Sequence, residues 1–156
     1  MIHDPPVPEP FAELLAPYAE HRPDMVGAGF SNCFGCGAAH PTGLHIRSFV
    51  ADGEVLSPII IPAQYAGPPR AAHGGIVAAC LDEVCAAAAM SRGQRVYVTG
   101  ELSVRYLLPT PVETPLLGRA RVRKEAGRVA DVEGSLEELA GGRIVATATA
   151  RFVAIR

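Results

Sequence analysis

One helix-forming stretch carries the residues whose types and spacing could do chemistry. Residues 73–90 are rich in Ala, Leu, Cys and Met and contain no proline, which predicts a single helix. The stretch is apolar on every side except at Asp82 and Glu83, and a helix that is apolar all round is a buried one. Because burying an unpaired carboxylate is costly, these acids either mark the wet edge of the helix or have a chemical function.

The start of the same helix offers a second functional group. Gly74 and Gly75 stand there, so no side chain covers the backbone N–H groups. Such a helix N-terminus binds anions or polarises a carbonyl oxygen. The helix therefore combines an electrophile-activating site with Asp82, a candidate general base or nucleophile. Glu83, about 100° further around the helix, is the alternative acid.

The spacing of these two groups bears on the number of chains in a site. Asp82 follows Gly75 by seven residues, which is about 10 Å along a helix axis. One reacting atom should lie about 3 Å from both groups, so the two cannot share it within one chain. Either one group is irrelevant, or a second copy of the helix running antiparallel completes the site. A two-fold homodimer supplies that arrangement.

Length and composition restrict the class of protein. A chain of 156 residues suggests one domain, with residues 1–30 as an N-terminal arm containing a short helix and residues 31–156 as the main domain. The net charge of −2 argues against a nucleic-acid partner. No apolar run reaches the ~20 residues that span a bilayer, and the N-terminus lacks the features of a signal peptide. We therefore expect a cytoplasmic protein without a membrane partner.

Cys33 and Cys36 form a C-x-x-C pattern, which is typical of half a zinc site or of a redox pair. A structural zinc site requires four ligands, and the chain has no second C-x-x-C. His40 and His45 are close in sequence, but their spacing is not a standard one. A thioredoxin-like pair would require a βαβ context that is absent. We favour a glycine-rich turn with two thiols, and we predict no metal and no separate cofactor.

Alternating apolar and polar residues predict strands on both sides of the helix. Asp52-Gly53 is a strong hairpin signal between the first two. In the strand after the helix, alternation places Val98 on one face with Leu102, and Thr99 on the other with Arg105. One long helix with five or six antiparallel strands predicts an α+β fold in which a sheet wraps around the helix. The predicted strands are residues 44–50, 54–61, 95–108, 116–124, 129–139 and 143–155.

Several of these segments resemble a known family. Residues 65–75 (YAGPPRAAHGG), with Asp82 nine residues after His73, resemble the hotdog-fold acyl-CoA thioesterases of the PaaI and THEM4-like group. Residues 33–44 and the R-Y-x-x-P pattern in residues 104–109 are similar to other parts of that group. The resemblance covers roughly residues 30–155. It implies the hotdog fold, with two sheets joined edge to edge in a dimer and active sites that use both chains.

The resemblance also implies functions for individual residues. The Gly75 N–H of one chain would polarise a thioester carbonyl, and Asp82 of the other chain would activate water or act as the nucleophile. His73 would lie beside the carbonyl and orient the entrance loop, although it could also serve only as a helix cap. Thr99 would help to position the water. The expected substrate-binding residues are Tyr65, Gly67, Arg70, Gly74 and Arg105.

We therefore expect a homodimer, or a dimer of dimers, that hydrolyses an acyl-CoA thioester to a free acid and CoA. Two alternatives share the fold. A non-catalytic acyl-CoA-binding module would usually need an output domain, and none is visible. A hydratase usually pairs an Asp and a His five residues apart, whereas Gly, Gly, Ile, Val and Ala follow His73 here. Gly67 stands where some thioesterases of the group carry Asn, which affects the subgroup more than the activity.

Overall fold

A computed structural model describes residues 6–23, 29–93 and 95–155. In this part of the chain two α-helices accompany seven strands, and all strand pairs are antiparallel. The strands form one sheet in the order β1-β2-β3-β5-β6-β7-β4. The elements are α1 (Glu9–Leu15), β1 (Ala19–His21), β2 (Ser48–Ala51), β3 (Glu54–Ile59), α2 (Gly74–Met90), β4 (Tyr97–Tyr106), β5 (Leu116–Ala126), β6 (Val129–Glu138) and β7 (Ile144–Ala154).

The predicted α+β arrangement is confirmed. Helix α2 packs against six of the strands, from β2 to β7, so the sheet wraps around it. The sheet has one strand more than the five or six expected, because the three residues of β1 pair with β2. Within the described residues, no helix combines the length and the apolarity that crossing a membrane requires.

The sheet buries apolar side chains on both faces. Neighbouring residues of one strand belong to different clusters, with Val55 packed on the α2 side and Leu56 on the other. This follows from the alternation of side chains along a strand. Phe11 and Leu15 of α1 fill the second cluster, so the short helix of the N-terminal arm covers the sheet face opposite α2.

Strand β2 is shorter than the sequence predicts. It begins at Ser48, whereas alternation extended it back to residue 44. The reason is His45, whose φ of 50° lies in the left-handed region and breaks the extended chain. The His45 ring is hydrogen-bonded through Nδ1 to the carbonyl oxygen of Gly37 at 2.9 Å. Residues 33–47 therefore form a folded loop, which lies beside α2.

The predicted faces of β4 are wrong for part of the strand, because β4 contains a β-bulge. The pairing with β7 shifts register between Thr99 and Glu101, so Gly100 is an extra residue. Thr99 before the bulge and Leu102 after it consequently both face α2. Val98, predicted on the same face as Leu102, is instead 47% exposed. A glycine inside a strand often marks such a bulge.

Candidate active site

Asp82 is held by a hydroxyl from β4. The carboxylate lies half-buried in the middle of α2, and the Thr99 Oγ1 donates a hydrogen bond of 2.7 Å to its Oδ1. The bulge at Gly100 makes this contact possible because it turns Thr99 toward the helix. A carboxylate has about four acceptor positions, so Asp82 is oriented by Thr99 and still able to accept a proton from water.

Glu83, the alternative acid, faces a different environment. Its Oε2 lies 3.9 Å from the Cys33 Sγ. A Cβ at Gly35 would come within 2.0 Å of the same oxygen, so a side chain there would displace the Glu83 carboxylate. Burial raises the pKa of Glu83, and the negative charge of Asp82 raises it further. The side chains of the two adjacent acids thus lie in different surroundings, and Asp82 is the one that Thr99 holds.

His73 caps the helix entrance. The Gly75 N–H donates to the His73 Nδ1 at 3.0 Å, and the His73 N–H donates to the Tyr65 carbonyl oxygen at 2.8 Å. The first bond satisfies one of the N–H groups that a helix start leaves free. Both His73 and Gly75 are exposed. In the free chain, the N–H expected to polarise a carbonyl is therefore already engaged by a surface imidazole.

The entrance loop packs closely around this cap. The Gly67 N–H bonds the Ala71 carbonyl oxygen at 3.0 Å, and a Cβ on Gly67 would lie 3.1 Å from the His73 Cα. The Tyr65 hydroxyl donates to the carbonyl oxygen of Thr42. Backbone bonds thus fix the loop, and the glycine allows it to lie against His73.

Tyr106, the tyrosine of the R-Y-x-x-P pattern, is a further residue at the entrance and was not among the predicted site residues. Its hydroxyl donates to the Gly74 carbonyl oxygen at 2.8 Å. The available signal was its place on the helix-facing side of β4 together with its polar hydroxyl, which seeks a partner. Strand β4 therefore supports both the entrance and Asp82.

The two predicted arginines lie apart from Asp82. Arg70 is exposed at the tip of the entrance loop, with a φ of 62°. Arg105 is exposed on the sheet face opposite α2, where it lines a cavity of about 530 Å³ with Arg119 and Arg121. Within one chain, the sheet separates Arg105 from the carboxylate, so the structure does not bring all the predicted residues together.

An apolar groove lies beside the helix entrance. It has a volume of about 360 Å³ and is bounded by Val77 of α2 and by residues 106–110 after β4. Tyr106 and Leu107 are each about half exposed in this groove. The groove lies at the C-terminal end of β4, which is an edge strand of the sheet.

Comparison with known proteins identifies the family. The sequence profile of the thioesterase superfamily matches residues 71–148, which is 78 of the 156 residues. The chain belongs to the thioesterase superfamily. The matched region includes His73, Gly75, Asp82 and Thr99. A search of curated proteins finds no significant match.

Solved structures agree with this family. A thioesterase superfamily protein superposes with a TM-score of 0.70 at 27% identity, over 79% of this chain but only 60% of the other. The E. coli PaaI protein from the phenylacetic acid degradation operon gives 0.66 at 20% identity, over 72% and 81% of the two chains. A Streptococcus mutans UA159 protein bound to acetyl-CoA gives 0.62 at 21% identity, over 68% and 86%. The resemblance to PaaI-like hotdog proteins is thus confirmed.

Proposed function

We propose that this protein hydrolyses an acyl-CoA thioester to a free acid and CoA. The observation that carries the proposal is the Asp82 carboxylate held by Thr99 at 2.7 Å on the same helix that exposes Gly75 at its start. A thioester carbonyl is already electrophilic, so one oxyanion donor and one general base suffice. Membership of the thioesterase superfamily and the acetyl-CoA in the Streptococcus mutans structure support the substrate class.

The proposed reaction needs no group beyond this chain, its partner and water. Asp82 takes a proton from a water molecule as the water oxygen attacks the thioester carbonyl, and Thr99 keeps the carboxylate aligned. The Gly75 N–H of the partner subunit donates to the oxyanion of the tetrahedral intermediate. The C–S bond then breaks, and the CoA sulfur takes up the proton that Asp82 accepted.

A dimer through β4 would complete the site. In one helix, Gly75 and Asp82 are about 10 Å apart along the axis, too far to serve one carbonyl. Strand β4 leaves one edge of the sheet unpaired over ten residues, and such an edge is a template for pairing with another chain. Val98 and Leu107 expose apolar surface at the same edge. Pairing of two dimers into a tetramer would leave these shared sites unchanged.

Substrate binding would displace an internal bond. Since the Gly75 N–H donates to His73 in the free chain, the thioester oxygen takes its place only when the imidazole turns away. His73 is exposed and has room to do so. Tyr65, Gly67 and Gly74 shape the entrance, and the apolar groove of about 360 Å³ would take the acyl group.

We assign two arginines to binding of the CoA phosphates. Arg70 lies at the exposed tip of the entrance loop and so borders the entrance of its own chain. Arg105 faces away from α2, so we assign it to CoA phosphates that extend past the sheet edge from the shared site. Arginine suits this task because its planar fork binds phosphate bidentately.

The test is a panel of acyl-CoA esters of different chain length and aromatic character, assayed by release of free thiol. We expect multiple turnovers that are lost in Asp82→Asn. Asp131→Asn is the matched control, because Asp131 is a half-buried carboxylate that pairs with Arg151 away from α2. Tight CoA-ester binding without hydrolysis would replace the proposal with a binding module. Hydration of an enoyl-CoA without thiol release would replace it with a hydratase.

A further inference from the structure

A cluster of three potential metal ligands lies outside the proposed reaction. The Sγ atoms of Cys33 and Cys36 and a carboxylate oxygen of Glu83 all lie within 4.8 Å of one another, and all three residues are half-buried. The cluster joins the loop of residues 33–47 to α2. From the sequence, His40 and His45 were the candidates for further ligands, and Glu83 was not among them.

The backbone around this cluster is built so that the three groups converge. A Cβ at Gly35 would lie 2.0 Å from the Glu83 Oε2, and a Cβ at Gly37 would lie 2.5 Å from the Cys33 backbone nitrogen. The Gly37 N–H closes the turn on the Cys33 carbonyl oxygen at 2.8 Å, and the Ile46 N–H bonds the Gly35 carbonyl oxygen at 2.8 Å. Side chains at these two glycines would push the carboxylate and the turn apart.

Without a cation, the surroundings of this cluster are unfavourable for the negative charge of the Glu83 carboxylate. Among the described residues, the charge that acts on Glu83 comes from Asp82, which is also negative, and no cation pairs with it. The Cys33 and Cys36 thiols hydrogen-bond to the Glu83 carboxylate and offset part of the cost of its burial, but a thiol is a weak donor and carries no positive charge. A divalent ion would reverse the sign of the field at all three groups.

The distances suit zinc. With Zn–S near 2.3 Å and Zn–O near 2.0 Å, a tetrahedral site separates sulfur from oxygen by about 3.5 Å and sulfur from sulfur by about 3.8 Å. The Cys33 Sγ to Glu83 Oε2 distance is 3.9 Å, and all three ligand atoms lie within 4.8 Å of one another, so shifts of at most about 1.3 Å would bring them to these separations. Thiolate ligands favour zinc over magnesium or calcium. The nearby histidines are bonded elsewhere, His40 to the Thr42 N–H and His45 to the Gly37 carbonyl oxygen.

We propose that Cys33, Cys36 and Glu83 bind one zinc ion, with a water molecule as the fourth ligand. On binding, both thiols lose their protons to solvent, and two Zn–S bonds and one Zn–O bond form. The ion pins the 33–47 loop to α2, directly next to Asp82 but on another side of the helix. It stabilises the fold and takes no part in thioester hydrolysis.

The test uses the full chain, reduced, stripped with a chelator and titrated with zinc alone and with cobalt alone. We expect one ion per chain, a sulfur-to-cobalt charge-transfer band, and a melting temperature that rises with zinc concentration. Cys33→Ser and Glu83→Gln each alter a direct zinc ligand. Each should therefore weaken zinc binding by more than about 10–100-fold, the loss seen when a residue that only hydrogen-bonds to a ligand is replaced. The controls Cys85→Ala, which removes a buried thiol, and Asp82→Asn, which removes the adjacent acid, should keep the ion.

Several results would overturn the site. One is failure of the reduced wild-type protein to take up zinc. Another is unchanged zinc affinity in Glu83→Gln. X-ray absorption at the zinc edge of the wild-type protein gives an answer even if the variants do not fold. Two sulfur and two oxygen ligands support the site, and any other set contradicts it.

Discussion

The proposed sharing of each active site between two chains predicts that two inactive variants regain activity when they are combined. Asp82→Asn keeps the shape of the side chain and removes the base. Gly75→Val places a branched side chain at the helix entrance, where even a Cβ would lie 3.2 Å from the His73 Nδ1. The first variant should lose the proton acceptor and the second should lose access to the N–H.

The expected magnitudes follow from these two losses. A general base contributes about 10²–10⁴-fold, so kcat of Asp82→Asn should fall at least about a hundredfold. Loss of an oxyanion donor costs about 10²–10³-fold, so Gly75→Val should be similarly inactive. In a heterodimer of the two variants, one shared site carries both lesions and the other carries none. Because the two sites of a two-fold dimer are equal, each heterodimer should show about half of the wild-type activity.

The assay is thiol release by heterodimers that are purified through two different affinity tags, one on each variant. The matched control joins wild type to a chain that carries both substitutions. In shared sites, that pairing leaves one lesion in each site and therefore no activity. If each site lay within one chain, the two results would be exchanged, with recovery in the control and none in the first heterodimer. That exchange would refute the antiparallel-helix geometry.

Three further predictions concern other contacts. Thr99→Val removes the 2.7 Å bond to Asp82, and since a hydrogen bond to a charged group is worth about 1.5–3 kcal/mol, kcat should fall about 10- to 100-fold and recover in Thr99→Ser. An unchanged kcat would show that Asp82 needs no such support. Light scattering at micromolar concentration should give a dimer or tetramer, and a monomer would contradict the shared site. Arg47 bonds Glu20 at 2.8 and 2.9 Å and lowers its pKa, so Glu20 stabilises the fold above the ordinary carboxyl pKa and loses this effect as the pH falls through the lowered value. Glu20→Gln should therefore lower Tm by about 2–4 °C at neutral pH but not in strong acid, and an equal loss at both would contradict the assignment.

Features with a local cause could be predicted from the sequence. Helix α2 follows from its composition, and the β2–β3 hairpin follows from Asp52-Gly53, where Gly53 adopts a φ of 80°. The faces of β4 could not be predicted by alternation, because one extra residue inverts the pattern. Gly100 was the available signal, and a glycine alone does not distinguish a bulge from a regular strand.

In the candidate site too, some residues could be predicted from the local sequence and others could not. Asp82 and Gly75 stand out because both are unusual residues for the apolar helix α2. Alternation placed Thr99 on the face opposite α2, although the family resemblance gave it a function near Asp82. Glu83 meets Cys33 from 50 residues away, through a loop that depends on the left-handed conformation of His45. Neither that conformation nor the contact has a signal in the local sequence.

In the proposed reaction, the bond between His73 and the Gly75 N–H makes the imidazole an internal competitor of the thioester. A bound thioester exchanges one neutral acceptor for another, so it gains only the difference between the two bonds. As its oxygen becomes an oxyanion, the bond from the N–H becomes charge-assisted and roughly twice as strong, while the bond to the imidazole is unchanged. The cost of displacing the imidazole is the same for the bound thioester and for the transition state, so the competitor weakens substrate binding without changing kcat. The strengthening of the N–H bond as the oxyanion forms is the difference that raises kcat.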